Sequence, residues 1–350
     1  MKSLLTKLGR ELSDHGIRVL IKRILVYVYS WIFYLLFLKA KISASKWKVL
    51  CNSFQGETVF ILGNGPSLLK TPLYLLKEKD TFGFNHIDLM ASRNGWFPKW
   101  FMITDNLVML DKQSNIDNCI SNSEGSFFPI IHPSGVSFFK FMGKNKKVHY
   151  MNSLVTGFHR NLPYCGINDT VVSSAIQVSI FMGYSRIVFI GMDLNYKNME
   201  VKKNNRDWVS MERDINHFDS RYFGKGKRFH DPNTHRMLQS LSAAKVFFPE
   251  ITFVNCTLGG NLDCFERSTL QEELRLSDRD EYKIFCDSVG LDGIGKIVES
   301  FVSEDSTSFL ELNDGSFLIK NPKVGDVRSY GEQGYKVIGP YREIYSITKP

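Results

Sequence analysis

Short apolar runs recur along the middle of the chain, and each closes on a glycine or a polar tip. Residues 58–62 (TVFIL) lead into Gly63-Asn64-Gly65-Pro66-Ser67, 81–85 (TFGFN) end on Asn85, and 100–104 (WFMIT) end on Asp105 and Asn106. Residues 186–190 (RIVFI) open into Gly191-Met192-Asp193-Leu194-Asn195-Tyr196. Such runs suit strands covered on both faces, as in a parallel sheet. Residues 127–131, 147–151 and 251–255 predict further strands. Residues 68–79 read as a helical stretch and 171–182 as a buried helix, with Asp169 or Thr170 as its N-cap and Gly183 as its stop. Another helix is expected from Pro232 to about Phe247. Strand, glycine turn, helix is the first half of a mononucleotide-binding unit. The expected fold class is therefore α/β, a single Rossmann-like domain with a mostly parallel sheet over 51–277.

Both ends depart from that pattern. Residues 1–50 read as a basic, helical, membrane-associating extension. Within it, 24–38 (ILVYVYSWIFYLLFL) is a run of 15 residues without a charge, flanked by Lys22, Arg23, Lys39 and Lys41. A spanning helix needs about 20 apolar residues, and Lys-Ala-Lys-Ile-Ser is a poor cleavage site for a secretory signal. Tyr27, Tyr29, Trp31 and Tyr34 with basic flanks suit a helix lying at a membrane interface; docking on the main domain or on a partner's surface is the competing account. Residues 278–350 predict a small α+β appendage, with Asn313-Asp314-Gly315 marking a β-hairpin. Residues 197–228, polar and rich in charge, suggest a functional lid or a disordered loop.

The composition is that of an ordinary globular protein, 43% hydrophobic and 23% charged. The net charge of +8, from 44 basic and 36 acidic residues, suits phosphate-bearing ligands, anionic lipid or nucleic acid without choosing among them. Six scattered cysteines form no CxxC pair and no Cys/His metal spacing, which points to reduced thiols and away from zinc or a disulfide framework.

In an open α/β sheet, ligands bind at the carboxyl ends of the strands near the reversal in strand order. Four polar tips fall at such ends: the glycine loop, Asn85-His86, Thr104-Asp105-Asn106 and the segment from Asp193 to Tyr196. Gly63 and Gly65 allow close backbone approach, Pro66 can start a helix, and Ser67 places a hydroxyl beside free helix N–H groups that suit a phosphate. The loop lacks the Lys-Ser/Thr of a Walker sequence and the third glycine of a dinucleotide fingerprint. His230 is the first choice for acid–base work, with His217 and His235 as competitors and a structural role as the alternative. Asp105 and Asp193 could bind Mg²⁺, cap helices or bind a ribose. The basic run at 225–228 could neutralise phosphate or be a solvated face.

These motifs together resemble the bacterial lipooligosaccharide sialyltransferases and the sialyltransferase-like domain of flagellin nonulosonate transferases. They also resemble the 6-hydroxymethylpterin pyrophosphokinase-like family of surface-polysaccharide gene clusters, which the ending NCTLGGNLDCFER matches particularly. The resemblance covers roughly 57–270. It implies a single Rossmann-like domain that uses CMP-sialic acid without a metal and inverts the anomeric centre. Asn64 and Ser67 fall where the sialyltransferases contact CMP, Asn85 at the nucleotide and sugar site, Thr170 near the donor, and Asp193 in the Gly-Ile-Asp motif. His230 matches the histidine proposed to deprotonate the acceptor hydroxyl. Tyr196 lies one position from the first of two tyrosines that stabilise the departing phosphate, and Tyr222 is a loose match for the second. Asp105 stands where those enzymes have a base-reading asparagine, and Val171 replaces a serine. Both departures lean towards the pyrophosphokinase-like branch.

The function implied is an inverting glycosyltransferase moving a nonulosonic acid from a CMP-sugar to a cell-surface glycan or lipid-linked acceptor, with no metal and no cofactor. The alternatives are diphosphate transfer from ATP to a small alcohol, or a non-catalytic role in polysaccharide assembly. Expected partners are the nucleotide-sugar donor, the acceptor, the inner face of the cytoplasmic membrane and a possible second copy, with no nucleic acid.

Overall fold

The computed structural model describes residues 44–276 apart from 112, 135, 140–144 and 205–206, together with helical positions 17, 21, 25, 28 and 32 and strand segments between 308 and 348. The first six strands are β1 (Thr58–Leu62), β2 (Thr81–Phe84), β3 (Trp100–Met102), β4 (Gly125–Pro129), β5 (Val148–Met151) and β6 (Arg186–Ile190). An inserted three-stranded sheet follows, β7 (Val201–Asn204), β8 (Asp207–Ser210) and β9 (Arg228–His230). The chain then supplies β10 (Thr252–Asn255) and β11 (Glu266–Arg267). The main sheet has eight strands in the order β11-β10-β6-β1-β2-β3-β4-β5, and every pairing in it is parallel. The α/β fold class expected from the apolar runs is the one observed.

Alternation along each strand divides the core into two layers. On β1, Phe60 and Leu62 join one cluster while Val59 and Ile61 join the other. On β6, Val188 and Ile190 divide from Ile187 and Phe189 in the same way. All four of these β1 side chains are at most 2% exposed, and such burial stabilises by about 1.5–3 kcal/mol each. The helices are α1 (Ala44–Leu50), α2 (Asp88–Asn94), α3 (Asn106–Asp111), α4 (Gln113–Asn122), α5 (Val171–Met182), α6 (Thr234–Phe247) and α7 (Leu270–Leu274). Residues of α1, α5 and α6 complete one layer, and those of α2, α3, α4 and α7 complete the other.

Helix α5 is buried on almost every side, so its polar groups need partners. Ser173 bonds Ser240 of α6 at 2.7 Å. Gln177 donates to the Gly166 and Ser173 carbonyls and accepts from the His159 and Gly166 amides. Its ends follow the sequence reading, with Thr170 as N-cap accepting from the Val172 amide and Gly183 left-handed at φ 101° as C-cap. Helix α1 covers the edge strand β5. Trp47, 2% exposed, donates to the Tyr150 carbonyl, while Lys46 donates to the carbonyls of Asn145, Lys146 and Val148.

Strand order reverses between β1 and β6. The chain runs outward from β1 to the β5 edge, then returns through α5 to β6 on the other side of β1. Leu62 pairs with Ile190, so Gly63 and Gly191 leave the sheet side by side. That is the crevice where an open α/β sheet takes a ligand.

Several expectations are corrected. Residues 68–79 form two 3-10 turns, Pro66–Lys70 and Leu73–Leu76, in place of one helix. Pro72 has no N–H to continue a helix and holds Thr71 extended, at ψ 133°. Residues 197–228 contribute β7, β8 and the start of β9, which corrects the disordered-loop alternative. Helices α2, α3 and α4 lie in connections for which the sequence pattern predicts no element. The appendage hairpin pairs Ser308–Glu311 (β12) with Phe317–Lys320 (β13), and Lys336–Tyr341 (β14) and Ile344–Thr348 (β15) complete a four-stranded antiparallel sheet. The helical part expected of the 278–350 appendage lies outside the described residues.

At the N-terminus, Ile17, Ile21, Leu25, Val28 and Ile32 are helical and 46–63% exposed. Their spacing of three and four places them on one helix face. Among the described residues no helix is long and apolar enough to cross a membrane. The remainder of the membrane-surface expectation for 24–38 lies outside the described residues.

Candidate active site

A cavity of about 570 Å³ opens over the β1/β6 crevice. Every candidate site residue from the sequence lines it except Ser67: His230, Tyr196, Tyr222, Asn64, Gly65, Asn85, Asp105, Thr170 and Asp193.

The glycines of the first loop serve the neighbouring loop. The Gly63 and Gly65 amides donate to the carbonyls of Ile190 and Gly191 at 2.7 and 2.9 Å. A Cβ on Gly63 would stand 2.3 Å from the Gly191 carbonyl oxygen, and one on Gly65 would stand 1.9 Å from Asp193 Oδ2. Only glycine fits either position without displacing its neighbour. The Ser67 amide and hydroxyl both donate to the Asp193 carboxylate, at 3.2 and 2.7 Å. A carboxylate therefore holds the N–H and hydroxyl expected to meet a phosphate, and Ser67 is buried at 6% exposure. On the other side, the Asp193 carbonyl accepts from the Asn261 amide at 2.7 Å.

The floor is built from β1, β2 and the segment 214–223. The Phe218 amide donates to the Asn64 carbonyl at 3.0 Å, and the Asn64 side-chain amide donates to the Tyr222 hydroxyl at 3.0 Å. Asn85, left-handed at φ 54°, also hydrogen bonds to that hydroxyl. With both amide groups turned to Tyr222, the Oδ1 atoms of Asn64 and Asn85 are buried and unpartnered. Buried orphan acceptors cost about 1–3 kcal/mol each. Burial, with Tyr196, Asp214 and Asp105 adding, pushes the Tyr222 phenol well above its ordinary range, so it stays protonated near neutrality.

His230, at the end of β9, lines the same cavity. Its Nε2 lies 3.3 Å from Asn106 Oδ1 and 3.7 Å from Asp105 Oδ1. Asp105 Oδ1 also accepts from the Leu107 and Val108 amides, at 2.7 and 3.4 Å, and so caps α3. Strand β9 is fixed by Phe229, buried and stacked on Phe223 at 5.0 Å. His132, absent from the sequence candidates, also lines the cavity. Burial, helped by His230, lowers its pKa to about 4, so it is neutral near pH 7. Its Nδ1 accepts from the Ser134 amide at 3.0 Å, which leaves the proton on Nε2.

The remaining wall is the N-terminal turn of α5, where Thr170, Val171 and Val172 line the cavity at the positive end of the helix. Among the described residues of the lining, Arg236 is the single Lys or Arg, against Asp105, Asp169, Asp193 and Asp231. The overall basic charge is therefore not concentrated here. A bound phosphate would rely on Arg236, helix N–H groups and hydroxyl donors. Among the described residues no three His, Cys, Asp or Glu side chains converge as a metal site would require.

The sequence reading also missed how 214–217 is organised. Asp214, 4% exposed, accepts from His217 Nδ1 at 2.7 Å and from the Asn216 and Phe223 amides at 2.8 and 2.9 Å. Burial pushes its carboxyl up, but the His217 hydrogen bond and charge with the two amides outweigh this and hold it below the ordinary value. His217 stacks on Tyr222 with ring centroids 4.0 Å apart and planes within 1°. The available signal was aromatic: Phe218, Tyr222, Phe223 and Phe229 stand in an otherwise polar stretch, and aromatic side chains there indicate packing.

No protein-family model matches the sequence, and no curated protein matches it. Among solved structures, the MAf glycosyltransferase from Magnetospirillum magneticum AMB-1 is similar at 15% identity and a TM-score of 0.41. The match covers 73% of this chain and 41% of that one, so this chain corresponds to less than half the length of that structure's chain.

Proposed function

We propose that the chain is an inverting, sialyltransferase-like glycosyltransferase that moves a nonulosonic acid from a CMP-sugar to a cell-surface glycan acceptor. The observation that carries this reading is the cavity's lining, which brings the phenols of Tyr196 and Tyr222 together with His230, whose Nε2 lies beside Asp105 and Asn106. Asn64 and Asn85 line the same cavity and hold the Tyr222 hydroxyl. A donor seated there hydrogen bonds to these polar groups through its hydroxyl and amino groups. The acceptor hydroxyl then approaches from the His230 side.

The chemistry is direct displacement at the anomeric carbon. His230 takes the acceptor proton as the new glycosidic bond forms and the bond to the phosphate oxygen breaks. Tyr196 and Tyr222, both protonated, donate to charge developing on that phosphate. The nucleotide sugar is a substrate, and neither metal nor cofactor enters. The apolar and basic N-terminal extension fits a peripheral site on the inner face of the cytoplasmic membrane, where lipid-linked acceptors lie. Diphosphate transfer from ATP would lean on Mg²⁺ carboxylates, yet Asp105 is engaged in capping α3 and Asp193 in holding Ser67.

Thermal-shift measurements with CMP, CDP, UDP and ATP, each with and without Mg²⁺, test the reading. Stabilisation by CMP without metal is expected. Stabilisation by ATP that needs Mg²⁺ would overturn it in favour of diphosphate transfer, and no shift with any nucleotide would favour a non-catalytic role. His230→Ala should abolish transfer while keeping the CMP shift; near-normal turnover would remove His230 from the mechanism.

A further inference from the structure

A second histidine lines the same cavity, held in a geometry that a packing role does not require. His217 is held at both ring nitrogens. Nδ1 meets the buried Asp214 carboxylate at 2.7 Å, and Nε2 meets the Tyr196 hydroxyl at 3.4 Å. Asp214 is held as a carboxylate by two backbone amides besides His217, so the proton between them sits on Nδ1. Stacking on Tyr222 and an edge contact with Phe223 at 5.2 Å fix the ring plane. The Tyr196 side is fixed as well. Asn216 accepts from the Lys197 amide at 2.7 Å and donates to the Lys197 carbonyl at 2.9 Å. One short segment thus anchors the backbone beside Tyr196 and presents a histidine to its hydroxyl.

We propose that Asp214, His217 and Tyr196 form a proton relay that delivers a proton to the departing phosphate, while His230 accepts one from the acceptor. The relay rests on the glycosyl-transfer reading above. With His217 neutral, Nε2 accepts from the Tyr196 hydroxyl and directs its proton away from the ligand. With His217 protonated, Nε2–H donates to the Tyr196 oxygen and frees the phenolic proton for the ligand. As the bond between the anomeric carbon and the phosphate oxygen breaks, that oxygen takes the Tyr196 proton. Tyr196 takes the Nε2 proton, His217 becomes neutral, and Asp214 stays ionised throughout. The relay atom nearest substrate is the Tyr196 oxygen; His217 and Asp214 are positioning residues that act through it.

The test uses the full chain in two arms. In the first, nitrogen-15 histidine labelling reads the ring by NMR without any substrate. The expected signature is a low-field Nδ1 proton that vanishes in His217→Gln and moves in Asp214→Asn, with an Nε2 shift that changes in Tyr196→Phe. An unprotonated Nδ1, or an Nε2 shift indifferent to Tyr196→Phe, overturns the relay. The second arm follows CMP release from CMP-N-acetylneuraminic acid, with thermal unfolding as a check on folding. His217→Gln and Tyr196→Phe should each lower kcat about 100-fold with KM little changed, and the double variant should fall no further than the worse single one. Losses that multiply, or a folded His217→Gln protein with near-normal kcat, overturn it. If the wild-type chain releases no CMP while the NMR signature holds, the glycosyl-transfer reading fails and takes the proton delivery with it, and only the hydrogen bonds joining Asp214, His217 and Tyr196 stand.

Discussion

Substituting Gly65 by alanine separates two accounts of the first loop, since the new methyl would occupy space that the second loop already fills. Its Cβ would lie 1.9 Å from Asp193 Oδ2 and 2.8 Å from the Gly191 carbonyl oxygen, so the carboxylate must retreat by more than about 1 Å to reach ordinary contact. Retreat breaks its bonds from the Ser67 hydroxyl and amide, at 2.7 and 3.2 Å. Hydrogen bonds to a charged group contribute about 1.5–3 kcal/mol each, and the strain of overpacking adds about 1–3 kcal/mol. Allowing for partial relaxation, the loss is roughly 3–5 kcal/mol, or about 6–20 °C in Tm for a domain of this size. Differential scanning calorimetry of Gly65→Ala beside Gly65→Ala/Asp193→Ala reads it directly. Removing the carboxylate relieves the closer clash, so the double variant should lose less than the sum of the singles. A Gly65→Ala protein that melts within about 2 °C of wild type but no longer binds nucleotide would refute the reasoning, because the glycine would then serve ligand approach.

Three further outcomes are expected. Thr170→Ala removes the α5 cap and should cost about 1 kcal/mol in urea unfolding, with Thr170→Ser restoring most of it; no loss would mean that the 3.3 Å bond to the Val172 amide contributes nothing. Burial, reinforced by Lys46, lowers the His149 pKa from 6.5 to about 4. The unfolded chain therefore binds the proton first, and stability falls as pH drops from about 6.5 towards 4, by up to ~1.4 kcal/mol per pH unit and less after allowing for the ring's partial exposure. His149→Phe should flatten that part of the urea-denaturation profile, and an unchanged slope would assign the acid sensitivity elsewhere. Deleting 1–43 should release the protein from membranes in a flotation assay with its Tm preserved, whereas deleting 1–50 also removes Trp47 and should cost about 3–5 kcal/mol; a 1–43 deletion that still floats with vesicles would rule out the extension as the anchor.

How much of this was legible in the sequence depended on whether an element is covered on both faces. β1 and β6 are, so TVFIL and RIVFI announce themselves, and their tips locate the cavity. β7 and β8 carry Lys202, Lys203 and Asp207 in a small three-stranded sheet, and their polarity reads as loop. The 3-10 turns after Ser67 were hidden because Pro72 outweighs the apolar spacing of the leucines around it. Asp105 and Asp193 are named by the sequence as candidates, but only the fold reveals that one caps α3 and the other holds Ser67. His217 was outranked by His230 for a similar reason. Its distinction is a buried carboxylate three residues earlier, and burial is a property of the fold.

The hydrogen bond from Asn64 to Tyr222 joins residues 158 positions apart. Closing so large a loop carries an entropy cost that local contacts cannot offset, and contacts of long sequence separation slow folding. The cavity is thus completed only once the inserted segment has come back onto the tips of β1 and β2. A nucleotide bound there would act as a non-covalent crosslink between the first strand of the sheet and a segment made much later. It would then stabilise the whole domain by an amount that grows with the logarithm of its concentration over Kd.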